Sequence, residues 1–123
     1  MVLTGYINDQ NQPFVSIKVG DGENEKTIEA LVDTGFTGQL QLPLAIAVPL
    51  GLKLEAVAPF EFGDGNSQMK MLFAGIMSLG SSKKKVSVIV SNLSIPLLGS
   101  DILKECQLSV DYINKKFTLS TSD

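Results

Sequence analysis

Ala30-Leu31-Val32-Asp33-Thr34-Gly35 is an apolar run that stops at one carboxylate, followed by a small hydroxyl residue and a glycine. Such a run has the composition of a buried strand, and the glycine marks the tight turn where it opens. A carboxylate held half-buried there costs folding free energy unless it is paired or used. Asp33 is therefore read as the centre of a site. A second stretch strengthens that reading. Ile95-Pro96-Leu97-Leu98-Gly99-Ser100-Asp101-Ile102-Leu103 is another apolar strand ending in glycine, with a helix-like segment behind it.

Working outward, residues 14–19 alternate toward the turn Gly20-Asp21-Gly22, and residues 26–32 return as the strand that delivers Asp33. Residues 39–42 alternate with period two until Pro43 stops them. Residues 44–50 are apolar and fit one or two helical turns, with Pro49 opposing a longer helix. Two extended runs, residues 56–62 and 67–79, flank Gly63-Asp64-Gly65-Asn66, a hairpin turn in which glycine supplies positive φ on either side of the aspartate. Lys83-Lys84-Lys85 is expected to cap the next turn, and residues 86–91 alternate with their valines on one face. Ser100 or Asp101 is expected to cap a helix over residues 102–108. Residues 109–112 and 117–120 make a terminal hairpin around Asn114-Lys115-Lys116. Many short strands at regular spacing predict an all-β, barrel-like fold, and 123 residues suit one domain over 1–123.

Composition removes several function classes. The chain is 44% hydrophobic and 19% charged, which is the balance of a folded protein. It carries a net charge of -3 and no arginine, so the fork that reads phosphates and guanine edges is missing and no nucleic-acid partner is expected. The absence of histidine takes away the commonest general base and metal ligand, together with every Ser-His or Cys-His nucleophile. No run approaches the roughly 18 apolar residues of a membrane span, and residues 1–12 lack a signal-peptide pattern, so the expected location is the cytoplasm with no membrane partner. Cys106, the one cysteine, falls in the apolar pattern of the expected helix and reads as a buried, inert thiol.

Asp33-Thr34-Gly35 and Leu97-Leu98-Gly99 together resemble the retroviral-type, or retropepsin-like, aspartic peptidases. In that family a strand ending in Asp-Thr/Ser-Gly lies beside a later strand of two apolar residues and glycine. The resemblance runs from about residue 12 to residue 119. It implies a closed acid-protease barrel with one short C-terminal helix, no cofactor or metal, and peptide or protein substrates. It also implies that Asp33, Thr34 and Gly35 are the catalytic turn, with Leu97, Leu98 and Gly99 packed behind it and expected among the substrate contacts. Residues 60–73 stand where the family has a flap over the substrate, which makes Phe62, Gly63, Asp64, Gly65 and Met69, with Phe36, expected substrate contacts. Met71 and Ile95 are further candidates for apolar lining.

A single carboxylate activates water poorly, whereas two about 3 Å apart share one proton and present an acid and a base together. This chain has one Asp-Thr-Gly, and none of Asp21, Asp64, Asp101 or Asp111 is an evident second member. The simplest partner is Asp33 of another copy on a two-fold axis, which predicts a homodimer. Two departures from the family pattern stand out: Phe36 replaces the small residue common after the triplet, and Ser100 stands where the retroviral enzymes often have an arginine. The alternative is a non-catalytic homodimeric module that binds extended peptides in the same groove, motivated by Phe36 beside the acids. Lys83-Lys84-Lys85 also fits a plain solvated loop, and Met69, Met71 and Phe73 also fit a core-facing strand. The absence of histidine and of clustered acids argues against a carboxylate metal site.

Overall fold

A computed structural model describes residues 1–61 and 64–121. In chain order the elements are β1 (Val2–Thr4), β2 (Tyr6–Ile7), β3 (Pro13–Gly20), β4 (Glu25–Val32), β5 (Leu40–Pro43), α1 (Leu44–Leu50), β6 (Lys53–Glu61), β7 (Ser67–Leu79), β8 (Ser82–Ser91), β9 (Leu97–Leu98), α2 (Ser100–Leu103), β10 (Cys106–Asp111) and β11 (Lys116–Thr121). The all-β expectation holds, with two short helices among the described residues.

Eight strands form one sheet in the order β2-β3-β4-β9-β5-β8-β7-β6, and β3 also pairs with β7. The run β3-β4-β9-β5-β8-β7 thereby returns on itself. Its inward apolar faces meet in a continuous core that includes Val15, Ile17, Val19, Ala30, Leu40, Leu42, Met77, Val88 and Leu98. Placing β9 is the decisive step of the topology. It runs parallel to β4, with Leu31 beside Leu97 and Val32 beside Leu98, and antiparallel to β5, with Leu40 beside Leu98. Leu97 and Leu98 are therefore buried on both sides, which is why this strand is purely apolar.

The remaining three strands form a second sheet in the order β1-β11-β10, so both terminal strands pair within one chain. Thr121 N–H donates to the Met1 carbonyl at 2.9 Å, closing that pairing. Phe117 and Leu119 point from this sheet into the core.

Three local expectations are corrected. The helix after Gly99 ends at Leu103, and Cys106 begins strand β10, because Cys106, Leu108 and Val110 alternate along a strand paired with β11. Cys106 is accordingly half-buried rather than a core residue of a helix. The cap of α2 is Gly99 in extended conformation, with no side-chain cap from Ser100 or Asp101. Lys83, Lys84 and Lys85 lie within β8, opposite Ser78, Met77 and Ile76, because the turn before them is made by Gly80 at φ +61°. The α1 segment is helical as expected: Pro49 sits in its last turn, and Gly51 ends it at φ +66°.

Leu98 is fully buried at the junction of β4 and β5. Its truncation in Leu98→Ala is expected to cost about 2–5 kcal/mol of stability, read from the urea midpoint of unfolding.

Candidate active site

Strand β4 delivers Asp33 to the point where the sheet opens. The backbone N–H of Asp33 donates to the Leu98 carbonyl at 3.0 Å, and Leu31 N–H donates to the Pro96 carbonyl at 2.9 Å. The chain then turns: Phe36 N–H donates back to the Asp33 carbonyl at 3.2 Å. Inside this turn Gly35 N–H donates to Asp33 Oδ1 at 3.0 Å, which fixes the carboxylate orientation. Asp33 is half-buried, whereas Thr34 and Gly35 are exposed. A Cβ on Gly35 would come no nearer than 3.4 Å to Asp33 Oδ1, so packing within this one chain leaves room for a side chain there.

Asp33 opens onto a cleft of about 530 Å³. Gly35, Phe36 and Thr37 of the turn, with Gln41 of β5, form one side, and Ile89 of β8 and Leu97 of β9 form the floor. Phe60, Glu61 and Lys70 of the β6–β7 hairpin and Leu93 complete the lining. Gln41 Nε2 donates to Ser91 Oγ at 3.0 Å, which holds the Gln41 amide at the cleft wall.

Phe36 is accommodated because two glycines face its ring. A Cβ on Gly99 or on Gly38 would lie within 2.7 Å of ring carbons of Phe36. The large residue after the triplet is thus matched by missing side chains at 38 and 99. Gly99 is buried under the turn and does not line the cleft; Leu98 lies deeper in the core.

Of the residues singled out from sequence, Asp33, Gly35, Phe36 and Leu97 come together at the cleft. Phe62 and Gly63 lie outside the described residues. Asp64 and Gly65 are exposed at the hairpin tip, where the Asp64 carboxylate accepts from the Asn66 backbone N–H at 3.0 Å and from Asn66 Nδ2 at 2.9 Å, and Gly65 takes φ +85°. The expected cleft contacts of Met69 and Met71 are corrected. Met69 pairs with Pro59 and Met71 with Val57, on the opposite face of the hairpin from the pair Ala58 and Lys70, and Met69 is 63% exposed. Ile95 is half-buried away from the cleft. Thr37, Gln41, Phe60, Glu61, Lys70, Ile89 and Leu93 were not singled out. For Ile89 the signal was present: if the valines of residues 86–91 share one face, Ile89 projects from the other.

Asp21 and Asp111 are occupied locally. Asp21 accepts from Asn24 and Glu23 N–H, and Asp111 accepts from Asn114 Nδ2, at 2.9 Å, and from Asn114 and Ile113 N–H. These bonds hold both carboxyls below the ordinary aspartate range. Asp101 is held low first by the Gln39 side-chain hydrogen bond, at 2.8 Å, and then by Lys104, at 3.0 Å. Among the described residues no group of three or more acidic or cysteine side chains could hold a metal. No helix there is long and apolar enough to cross a membrane.

No protein-family model and no curated protein matches the chain. Its fold, however, is similar to solved structures. A retropepsin-like aspartic protease from Rickettsia conorii superposes with a TM-score of 0.65 at 19% identity, covering 97% of this chain and 89% of that one. The EIAV protease complexed with the inhibitor HBY-793 superposes with a TM-score of 0.59 at 18% identity, covering 79% of this chain and 89% of that one. The protein has a retropepsin-like, all-β fold.

The Asp101 interactions carry a pH consequence. A carboxyl lowered in the folded state stabilises above its unfolded value, 3.8, and that stabilisation fades as pH falls through the lowered folded value. Thermal unfolding followed from neutral pH down into acid is expected to show this loss. In Asp101→Asn the loss becomes smaller, with the shares of Asp21, Asp64 and Asp111 remaining.

Proposed function

We propose that this protein is an aspartic endopeptidase that acts as a homodimer, with Asp33 of each subunit forming the catalytic pair. The observation that carries this reading is the placement of Asp33. It is half-buried on a turn seated by β9, at the wall of an open cleft, in a fold whose similar solved structures are aspartic proteases.

The chemistry follows from pairing. Two carboxylates at hydrogen-bond distance share one proton, so one removes a proton from a water while the other hydrogen-bonds the peptide carbonyl oxygen. Gly35 N–H, already bonded to Oδ1, ties each carboxylate to its own turn. Among the described residues the second oxygen, Oδ2, takes no hydrogen bond from the protein, which leaves it to the water and its partner acid. Thr34 is exposed beside it, so its hydroxyl is available to bond across the two-fold axis.

An extended peptide lying between the floor of Ile89 and Leu97 and the hairpin residues Phe60 and Lys70 presents alternate side chains to opposite walls. Closing the β6–β7 hairpin over the peptide excludes water and strengthens the hydrogen bonds beneath it.

Asp33→Asn is expected to abolish cleavage of an unbiased peptide mixture at every pH from about 3 to 8 while sedimentation still finds a dimer. Full activity in that variant, or a strictly monomeric wild-type protein, rejects the reading. Tight binding of a statine-type peptide mimic by a wild-type dimer that cleaves nothing in this range assigns the groove to peptide binding alone.

A further inference from the structure

The turn that carries Asp33 ends at Gln39, and that residue is held by three hydrogen bonds. Its backbone carbonyl accepts from Gly99 N–H at 2.8 Å. Its side-chain Oε1 accepts from Ser87 N–H of β8 at 2.7 Å, and Nε2 donates to Asp101 Oδ2 of α2 at 2.8 Å. The same turn is tied to α2 by Ser100 N–H to the Phe36 carbonyl, at 2.7 Å, and by Asp101 N–H to the Gly38 carbonyl, at 3.2 Å. Asp101 Oδ1 is taken by Lys104 Nζ.

The chemistry of these partners dictates the residue at position 39. A backbone N–H only donates and an ionised carboxylate only accepts, so the fork between Ser87 and Asp101 must offer one acceptor and one donor. A side-chain amide of glutamine length does so without charge. The contact is partly buried, where an unmatched polar atom is costly.

Resting on the reading that Asp33 is catalytic, we propose that Gln39 is a positioning residue for the reaction. By bridging β8 and α2 it sets the seat of the Asp33 turn relative to the cleft floor, and its amide cannot be exchanged for a carboxylate without making that seat depend on pH. With Gln39→Glu, the new carboxylate still accepts from Ser87 but faces Asp101 with no donor between them. The bridge then reforms only when the two acids share a proton, in acid solution, and is lost toward neutrality. Lys104 and Lys84 act on this pair from the Asp101 side. Gln39 and Ser87 also line a cavity of about 640 Å³ whose charged walls are Asp21, Glu23, Lys53, Glu55 and Lys85.

The test compares wild type, Gln39→Glu, Asp101→Asn and the double variant, in which the amide and the carboxylate have changed places and the hydrogen bond is restored with reversed polarity. Near neutral pH, kcat of Gln39→Glu is expected to fall about 10- to 100-fold with KM little changed, and the deficit to shrink as the pH is lowered. Adding Asp101→Asn restores most of the neutral-pH kcat relative to Gln39→Glu. Hydrogen exchange at the Gly99 and Ser100 amides is expected to follow the same order, with protection lost in Gln39→Glu at neutral pH and regained in the double variant. A kcat profile for Gln39→Glu parallel to that of wild type, or a double variant no better than the single one, overturns the proposal. If Gln39→Glu does not fold, the double variant decides alone: wild-type kcat and amide protection support the bridge, and a folded protein lacking both overturns it. Should the wild type cleave no peptide, the peptidase reading fails separately, and unchanged amide protection in Gln39→Glu would still overturn the role of Gln39.

Discussion

Backbone hydrogen bonds seat β9 between β4 and β5, and the position of Asp33 depends on them. Leu31 and Asp33 donate to the carbonyls of Pro96 and Leu98, while Gly99 donates to the carbonyl of Gln39. A two-residue strand brings little pairing energy of its own, so its place is secured by burial of Leu97 and Leu98 on both faces. Once it is in place, the chain leaving β4 cannot continue in the sheet beside β5 and must turn outward. The carboxylate rides on that forced departure, so core packing and site geometry are one constraint.

Asp33 differs from the aspartates that are tied up within their own surroundings. Asp64 and Asp111 spend both oxygens on the N–H groups and side-chain amides that follow them, Asp21 spends Oδ1 on two backbone N–H groups, and Asp101 is spent on Gln39 and Lys104. Asp33 accepts one N–H from within its own turn and presents its remaining oxygen to an open space. As letters Asp33 and the other turn aspartates look alike, and the distinction appears only in what each oxygen touches.

Much of the fold was legible because its signals are local. The alternation of β3, β4 and β8, and the turn glycines Gly22, Gly65 and Gly80, each follow from φ preference or side-chain period. The boundary at Cys106 was misread because Ile102 and Cys106 are spaced like one helix face while Cys106, Leu108 and Val110 are spaced like a strand, and pairing with β11 decides between them. The cleft was legible only in its first wall. Period two says that Met69 and Lys70 face opposite ways, but which face meets the cleft is set by strands distant in sequence. Assigning the apolar face to the substrate put Met69 and Met71 in the cleft, while Phe60 and Lys70, within the segment read as a flap, were not named.

The ring of Phe36 occupies volume that a side chain at 38 would otherwise claim, whereas at 99 the backbone carbonyls of Gly38 and Phe36 bar a side chain as well. Positions 36 and 38 therefore behave as a single shared allotment of space. Enlarging Gly38 is tolerable only alongside a smaller group at 36, while position 99 is held to glycine whatever stands at 36. Descendants of this sequence that drift at 36 or 38 would be forced to drift at the other, so the two should vary as a correlated pair while position 99 stays fixed.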